Sequence, residues 1–186
     1  LPEQPGRGVI RETDQFHAAW VKGAYAKTKA EAAQKVLNAV RARGLDASLV
    51  LPAGILGPGD FGRNHLNHTI RACVTGRLHT LVTGGYDLVD VRDVADACIA
   101  AVDKGGRGES YILSGRHYDW REVSALLEAE NTAAHVKRFL SPSALRPVAP
   151  LMELWAKLRR EQPLVTGYSL YCMCSNDNFS SRKAHR

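Results

Sequence analysis

The amino-acid sequence predicts an α/β fold organised around parallel strands. A long helical pattern that ends near Arg43 is followed by a short apolar run at residues 46–51, which is typical of a strand buried on both faces. The alternation then repeats, with a helical pattern at residues 64–76 and a strand pattern at 78–83. Strands that alternate with helices favour a parallel sheet covered by helices.

Length and composition are those of a soluble globular protein. The chain has 186 residues, of which 45% are hydrophobic and 24% are charged, and no apolar run approaches the length of a membrane span. We therefore expect a cytoplasmic protein with no membrane partner. Lys and Arg exceed Asp and Glu by 25 to 19, but the basic residues are mostly scattered, so we expect no specific nucleic-acid binding.

The first helix carries the most distinctive motif. Tyr25 and Lys29 are four residues apart and share one face of a helix. That face continues through Ala32, Val36 and Val40, which the helical period predicts to be buried. A lysine on a buried face carries a desolvation cost unless it has a partner. Tyr25 and Lys29 are then either a proton-transfer pair, or a tyrosine at the core edge with a lysine that reaches water.

A loop rich in proline and glycine follows the first predicted strand. Residues 1–14 form a surface loop, the helix ends at Gly44 in a left-handed cap, and the strand leads into residues 52–60. Ligands of parallel α/β sheets bind at the carboxyl ends of strands, where glycine lets the backbone come close. Residues 52–60 are therefore either a ligand-binding loop or only a tight turn.

The middle of the chain continues the alternation. Residues 87–97 pass from extended to helical, and Gly105 or Gly106 ends the helix before a strand at 109–113. The apolar side of this helix is predicted to be buried: Val91, Val94, Ala95, Cys98, Ile99 and Val102.

The C-terminal third is predicted to be helical with one strand. Asp119 and Glu122 form a capping-box pattern at a helix start, and helices also start at Ser141 and Pro150. Residues 166–174 alternate like a strand. They include a Cys-x-Cys pair with no second pair or histidine cluster, so we expect no metal site.

Three motifs together carry a resemblance to a known family. They are YAKTK at residues 25–29, LPAGILGPGD at 51–60 and DVRDVADA at 90–97. In this order and spacing they resemble the extended short-chain dehydrogenase/reductases, more narrowly the NAD(P)-dependent epimerase/dehydratase and dihydroflavonol-reductase-like branch. The resemblance runs from about Val9 to the end and includes residues 178–184, which resemble the family's closing substrate-domain segment.

The resemblance implies roles for specific residues. Tyr25 matches the family's acid/base, and Lys29 matches the lysine that binds the nicotinamide ribose and lowers the tyrosine's pKa. The cofactor would be NAD or NADP, both of which these motifs accommodate. The residues implied to lie against the cofactor are Tyr25, Lys29, Pro52, Ala53, Gly54 and Ile55. The candidate substrate residues are Phe61, Asn64, His65 and Tyr86, with a solvated histidine as the alternative for His65.

The sequence departs from the family's pattern in two places, and the second departure determines the predicted fold. Leu51 stands where the family commonly has arginine, and no segment matches the opening Gly-x-x-Gly-x-x-Gly turn that holds the pyrophosphate. We therefore expect the C-terminal part of an NAD(P)-binding Rossmann-like parallel sheet plus a small α+β substrate-binding lobe, with the N-terminal Gly-rich half absent. The predicted parts are residues 1–63 and 90–113 of the Rossmann domain, an insertion at 64–89 and a C-terminal lobe at 114–186.

The resemblance predicts a parent enzyme that transfers hydride to or from a small carbonyl or hydroxyl substrate, by reduction, dehydrogenation, epimerisation or dehydration. The parent is expected to be a homodimer. Because the pyrophosphate turn is missing, the 186-residue chain by itself is expected to be inactive. The alternative is a non-catalytic fragment or partner-binding remnant.

Overall fold

The computed structural model describes residues 1–2, 4, 6, 8–61, 65–130, 133–159 and 166–186. Its helices are α1 (Ala24–Arg43), α2 (His65–Val74), α3 (Val91–Lys104), α4 (Trp120–Glu130), α5 (Pro142–Leu145), α6 (Ala149–Arg159) and α7 (Gly167–Cys174), with a 3-10 turn at Ala18–Trp20. Its strands are β1 (Leu49–Pro52), β2 (Gly54–Leu56), β3 (Thr80–Val82), β4 (Gly85–Asp90), β5 (Ser110–Leu113), β6 (Arg116–Asp119) and β7 (Arg138–Leu140).

The chain divides into two compact units. The first comprises Leu1–Gly57, Asp87–His117 and Asn176–Arg186, and the second comprises Pro58–Tyr86 and Tyr118–Ser175. The two units are defined by which parts of the backbone lie close together. The Rossmann segments, the insertion and the C-terminal lobe that the sequence predicts stay predictions.

Parallel strand pairs organise the first unit. β1 runs parallel to β5, with Leu49 opposite Ser110, and β2 runs parallel to β4, with Gly54 opposite Leu88. Helix α3 connects β4 of one pair to β5 of the other. The parallel α/β architecture predicted from the alternation is confirmed. The prediction of a doubly buried first strand is wrong, because Leu49, Val50 and Leu51 are half-buried in β1.

Helix α1 packs on this unit through one side only. Ala30 and Leu37 are buried with Phe16, and the half-buried Leu49 and Leu51 of β1 pack against them. The helix ends as predicted at Gly44, which has a φ of 66° and donates its backbone N–H to the Val40 carbonyl oxygen at 3.1 Å. Glycine is suited to this position because a side chain in the left-handed region costs free energy.

The second unit has its own core around a parallel pair. β3 runs parallel to β7, with Leu81 opposite Phe139. Side chains from α2, α4, α6 and α7 join β3 in one buried cluster: Cys73, Leu81, Val82, Trp120, Val136, Ala149, Leu170 and Met173. The predicted helix start at Asp119 is confirmed, because an Asp119 carboxylate oxygen accepts the backbone N–H of Arg121 at 2.7 Å.

Residues 167–174 form helix α7, so the prediction of a strand at 166–174 is wrong. Thr166 caps the helix: its Oγ1 accepts the Ser169 backbone N–H, and the Ser169 hydroxyl accepts the Thr166 backbone N–H, both at 2.9 Å. Leu170 and Met173 are three residues apart and both are buried. The apolar residues of this segment also satisfy a helical spacing, and the capping box favours the helix over the strand.

Helix α3 begins where the sequence predicts but exposes the side expected to be buried. Asp90 caps it by accepting the Arg92 backbone N–H at 2.8 Å and pairs with the Arg92 guanidinium, which lowers the pKa of Asp90 to about 2. Ala95, Cys98, Ile99 and Val102 are exposed, so their predicted burial is wrong. Periodicity indicated an apolar side correctly, but no element among the described residues covers it.

The end of the chain belongs to the first unit. Ile10 and Phe179 form a parallel bridge, in which Ile10 donates to the Asn178 carbonyl oxygen and accepts from Ser180. Lys183 pairs with the Glu109 carboxylate and donates to the Ser110 carbonyl oxygen at 2.9 Å. These bonds attach the closing segment to β5.

Candidate functional site

Tyr25 and Lys29 lie together on the first turns of α1. The Lys29 Nζ atom is 5.6 Å from the centroid of the Tyr25 ring, close enough for a cation–π contact. The helix starts after Gly23, whose φ of 86° lets the chain turn into it. The prediction that the two side chains share one face is confirmed.

The N-terminal part of this face is open to solvent, so its predicted burial is wrong there, whereas Val36 is half-buried and Val40 is buried as predicted. The Tyr25 side chain is 66% exposed, and Lys29 is also exposed. The buried residues of α1 are Ala30 and Leu37, which the predicted face did not include, and Val40, which it did. Around the helix axis, at 100° per residue, the centre of the buried side lies about a quarter turn away from Tyr25. The expected desolvation cost of Lys29 therefore does not arise in this structure.

An exposed phenol next to an ammonium group can act on a bound ligand. The phenol is a hydrogen-bond donor and acceptor, and the ammonium group offers three donors. Lys27 is also exposed on α1, but it lies about half a turn away from Tyr25 around the helix. Only Lys29 of these two lysines shares the face of the tyrosine.

Residues Pro52–Ile55 connect two strand pairs at the carboxyl end of β1. Pro52 ends β1, the Ala53 backbone N–H donates to the Leu113 carbonyl oxygen at 2.9 Å, and Gly54 starts β2. The expected loop is thus partly strand. Ala53, Gly54 and Ile55 are half-buried, so their backbone forms an ordered surface at a strand end, where ligands of parallel sheets bind.

Three of the four candidate substrate residues, Phe61, His65 and Tyr86, belong to the second unit. Phe61 is 95% exposed and therefore available for contact with a ligand. Asn64 lies outside the described residues. His65 is the first residue of α2, and its side chain is likewise outside the described part. Their substrate roles stay predictions.

Tyr86 packs against the core of the second unit. Its ring meets that of Trp120 edge to face, with the centroids 6.3 Å apart. Burial is the main reason that the pKa of Tyr86 is raised above its ordinary value, and Cys172 and Cys174 add to it. Tyr86 therefore keeps its proton at neutral pH, and its position suits a packing role; its substrate role stays a prediction.

Asp87 forms a buried polar cluster that the sequence analysis did not single out. Its carboxylate accepts the Ser114 hydroxyl at 2.6 Å and the Gly115 backbone N–H at 3.1 Å. Burial raises the pKa of Asp87, and these two hydrogen bonds only partly oppose the shift. The available signal was an aspartate inside β4, next to the apolar Leu88 and Val89. Nearby, His117 Nδ1 and the Asp177 carboxylate are 2.5 Å apart.

The comparison with protein families matches the first part of the chain. Residues 6–114 match the NAD dependent epimerase/dehydratase family. The chain belongs to this family. The resemblance inferred from the three motifs is confirmed, and the family's description confirms a nicotinamide dinucleotide as the cofactor of the group.

Individual relatives agree with this membership. Sterol demethylase protein B from Methylococcus capsulatus is 32% identical over 165 residues, covering 87% of this chain and 50% of that protein. A putative dihydroflavonol 4-reductase from Synechocystis is 31% identical over 109 residues, covering 56% of this chain and 32% of that protein. The second name matches the dihydroflavonol-reductase-like branch that the motifs indicate.

A solved structure extends the likeness over nearly the whole chain. The crystal structure of gox2253 is 31% identical, has a TM-score of 0.74, and covers 99% of this chain and 56% of that one. The chain therefore spans about half the length, or less, of the relatives it matches. The Rossmann-like fold class is confirmed, while the activity of a whole protein is a matter for proposal.

Proposed function

We propose that this chain is part of an NAD(P)-dependent oxidoreductase or epimerase-type enzyme that transfers hydride to or from a small carbonyl or hydroxyl substrate. The observation that supports it most is the exposed Tyr25–Lys29 pair on one face of α1, within the segment that matches the family. A substrate oxygen that gains or loses hydride at its carbon must gain or lose a proton as well. Tyr25 is placed to exchange that proton.

Each residue then has a distinct task. In reduction the Tyr25 hydroxyl donates its proton to the substrate's carbonyl oxygen and becomes a phenolate, and in oxidation the phenolate accepts the proton of the substrate's hydroxyl. The Lys29 ammonium group offers hydrogen bonds to ligand hydroxyls beside the phenol. The ordered backbone of Pro52–Ile55 suits a flat ring. The nicotinamide group supplies or accepts the hydride when bound.

The test compares three α1 variants of the complete polypeptide, assayed by nicotinamide absorbance. Tyr25→Phe should lower kcat about 100- to 10,000-fold, because general acid/base catalysis is lost. Lys29→Met should lower kcat and also weaken cofactor binding. The matched control is Lys27→Met, an exposed lysine on the other side of the helix, which should leave both unchanged. A Tyr25→Phe variant with undiminished kcat contradicts the proposed role.

The substrate panel starts from what the relatives' names print. A sterol and a dihydroflavonol represent two relatives, and both offer a hydroxyl or carbonyl group. We propose that the enzyme is a cytoplasmic homodimer. Analytical ultracentrifugation of the complete polypeptide tests the dimer, and a monomer at all concentrations contradicts it.

A second candidate function concerns the 186-residue chain by itself. The chain spans about half the length of its relatives, and α3 exposes Ile99 and Val102. We propose that this chain alone is a non-catalytic, partner-binding piece. Calorimetric titration with NADH and NADPH tests it: no heat of binding is expected, and a micromolar dissociation constant for either contradicts the proposal.

A further inference from the structure

Helix α6 exposes a continuous apolar surface that hydride transfer does not explain. Leu151, Leu154, Trp155 and Leu158 are between 55% and 74% exposed. They are spaced i, i+3, i+4 and i+7, so they form one side of the helix, called here the α6 apolar face. Exposed apolar residues are common singly, but a whole helix face is a sign of an interaction surface.

The opposite side of α6 attaches the helix to its unit. Ala149 is 2% exposed and belongs to the core cluster of the second unit. At 100° per residue, Ala149 lies roughly opposite the middle of the α6 apolar face. The helix therefore packs on the protein through one side and presents Leu151, Leu154, Trp155 and Leu158 away from it. No described residue covers this face.

Two cations border the α6 apolar face. Lys157 and Arg159 lie on its two flanks at the last turn, and both are exposed. The Arg159 guanidinium carbon is 3.8 Å from the centroid of the Trp155 ring. Leucines in the middle, cations at the edges and a tryptophan at the boundary are typical of helices that lie in the interface of a lipid bilayer.

Charge distinguishes α6 from the other exposed apolar helix. Ile99 and Val102 on α3 are bordered by Asp96 and Asp103 instead, and all four residues are exposed. Carboxylates at the border of an apolar face repel an anionic surface, whereas cations attract it. Of these two helices, only α6 is complementary in charge to an anionic membrane.

We propose that α6 lies flat on the surface of an anionic lipid bilayer and buries Leu151, Leu154, Trp155 and Leu158 at the level of the headgroups. The helix is about 16 Å long at 1.5 Å per residue, which is far shorter than a span of about 30 Å. None of the described helices combines the length and the apolarity needed to cross a membrane. Surface binding thus revises the expectation of no membrane partner without requiring a span.

The experiment is co-sedimentation of the complete polypeptide with vesicles of phosphatidylcholine and phosphatidylglycerol in equal amounts, against vesicles of phosphatidylcholine alone. We expect binding to the anionic vesicles that weakens with added salt. Lys157→Gln with Arg159→Gln should weaken binding about 25-fold, since each cation near an anionic surface contributes about fivefold. Leu154→Ser with Leu158→Ser should weaken it at least about 10-fold at any salt concentration.

Matched controls separate the α6 apolar face from general stickiness. Ile99→Ser with Val102→Ser removes equivalent exposed apolar residues from α3 and should leave vesicle binding unchanged. A blue shift of tryptophan fluorescence on anionic vesicles should disappear in Trp155→Phe. Circular dichroism of every variant establishes that it is folded.

Two results would overturn the proposal. One is vesicle binding that is absent, or that is unaffected by the α6 variants in folded protein. The other is a dimer that Leu154→Ser with Leu158→Ser converts into a monomer, because the α6 apolar face would then contact a second copy. Vesicles are tested without cofactor or substrate, so failure here does not affect the proposed hydride transfer.

Discussion

Replacing Asp87 tests whether its buried carboxylate is held at a cost when it is ionised. Asp87 is 6% exposed and accepts hydrogen bonds from the Ser114 hydroxyl and the Gly115 backbone N–H. Its pKa in the folded state is raised above the ordinary value of 3.8, chiefly by burial. The folded state therefore binds a proton more tightly than the unfolded state does. This stabilising contribution is complete below about pH 4 and is lost as the pH rises through the folded pKa.

The magnitudes follow from the two hydrogen bonds. Asp87→Ala removes both, and a hydrogen bond to a charged acceptor contributes about 1.5–3 kcal/mol. Since the desolvation cost of the carboxylate is removed too, we expect a net loss of about 2 kcal/mol of unfolding free energy at neutral pH. Asp87→Asn keeps an acceptor for Gly115 and stays neutral, so its stability should lie within about 1 kcal/mol of the wild type.

The assay is urea unfolding of the wild type and both variants between about pH 4 and pH 7. Relative to the wild type, Asp87→Asn should become more stable as the pH rises across this range. Asp96→Asn, at an exposed carboxylate on α3, is the control and should change the unfolding free energy by less than about 0.5 kcal/mol. If Asp87→Asn instead becomes steadily less stable than the wild type as the pH rises, the ionised carboxylate is stabilising. The reasoning about burial is then refuted.

Three further substitutions test packing and capping, each by urea unfolding. Gly115→Ala should cost about 3 kcal/mol, because the new Cβ would lie 2.1 Å from the Leu88 carbonyl oxygen; a loss below about 1 kcal/mol would mean that the backbone adjusts freely. Leu37→Ala should cost about 2–5 kcal/mol, since Leu37 is 1% exposed, and a neutral result would show that α1 is not held by this contact. Thr166→Ala should cost about 1 kcal/mol by removing the α7 cap, and no loss would argue against the capping box.

Local patterns determined the class of fold and the candidate pair. Helix and strand alternation depends on neighbours along the chain, so it indicated parallel strands before any contact was known. The four-residue spacing of Tyr25 and Lys29 likewise requires only a helix, and the structure places the two side chains together. Three motifs in order were sufficient for the family, which residues 6–114 match.

Tertiary structure alone decided which surfaces are covered. Periodicity identifies an apolar side of a helix but not what lies against it, and for this reason the predicted burial of Tyr25, Lys29 and the α3 residues failed. A capping box at Thr166 and the burial of Leu170 and Met173 determine that residues 167–174 form a helix and not a strand. The Asp87 cluster joins residues 27 and 28 positions apart, a contact that only the pairing of distant strands creates.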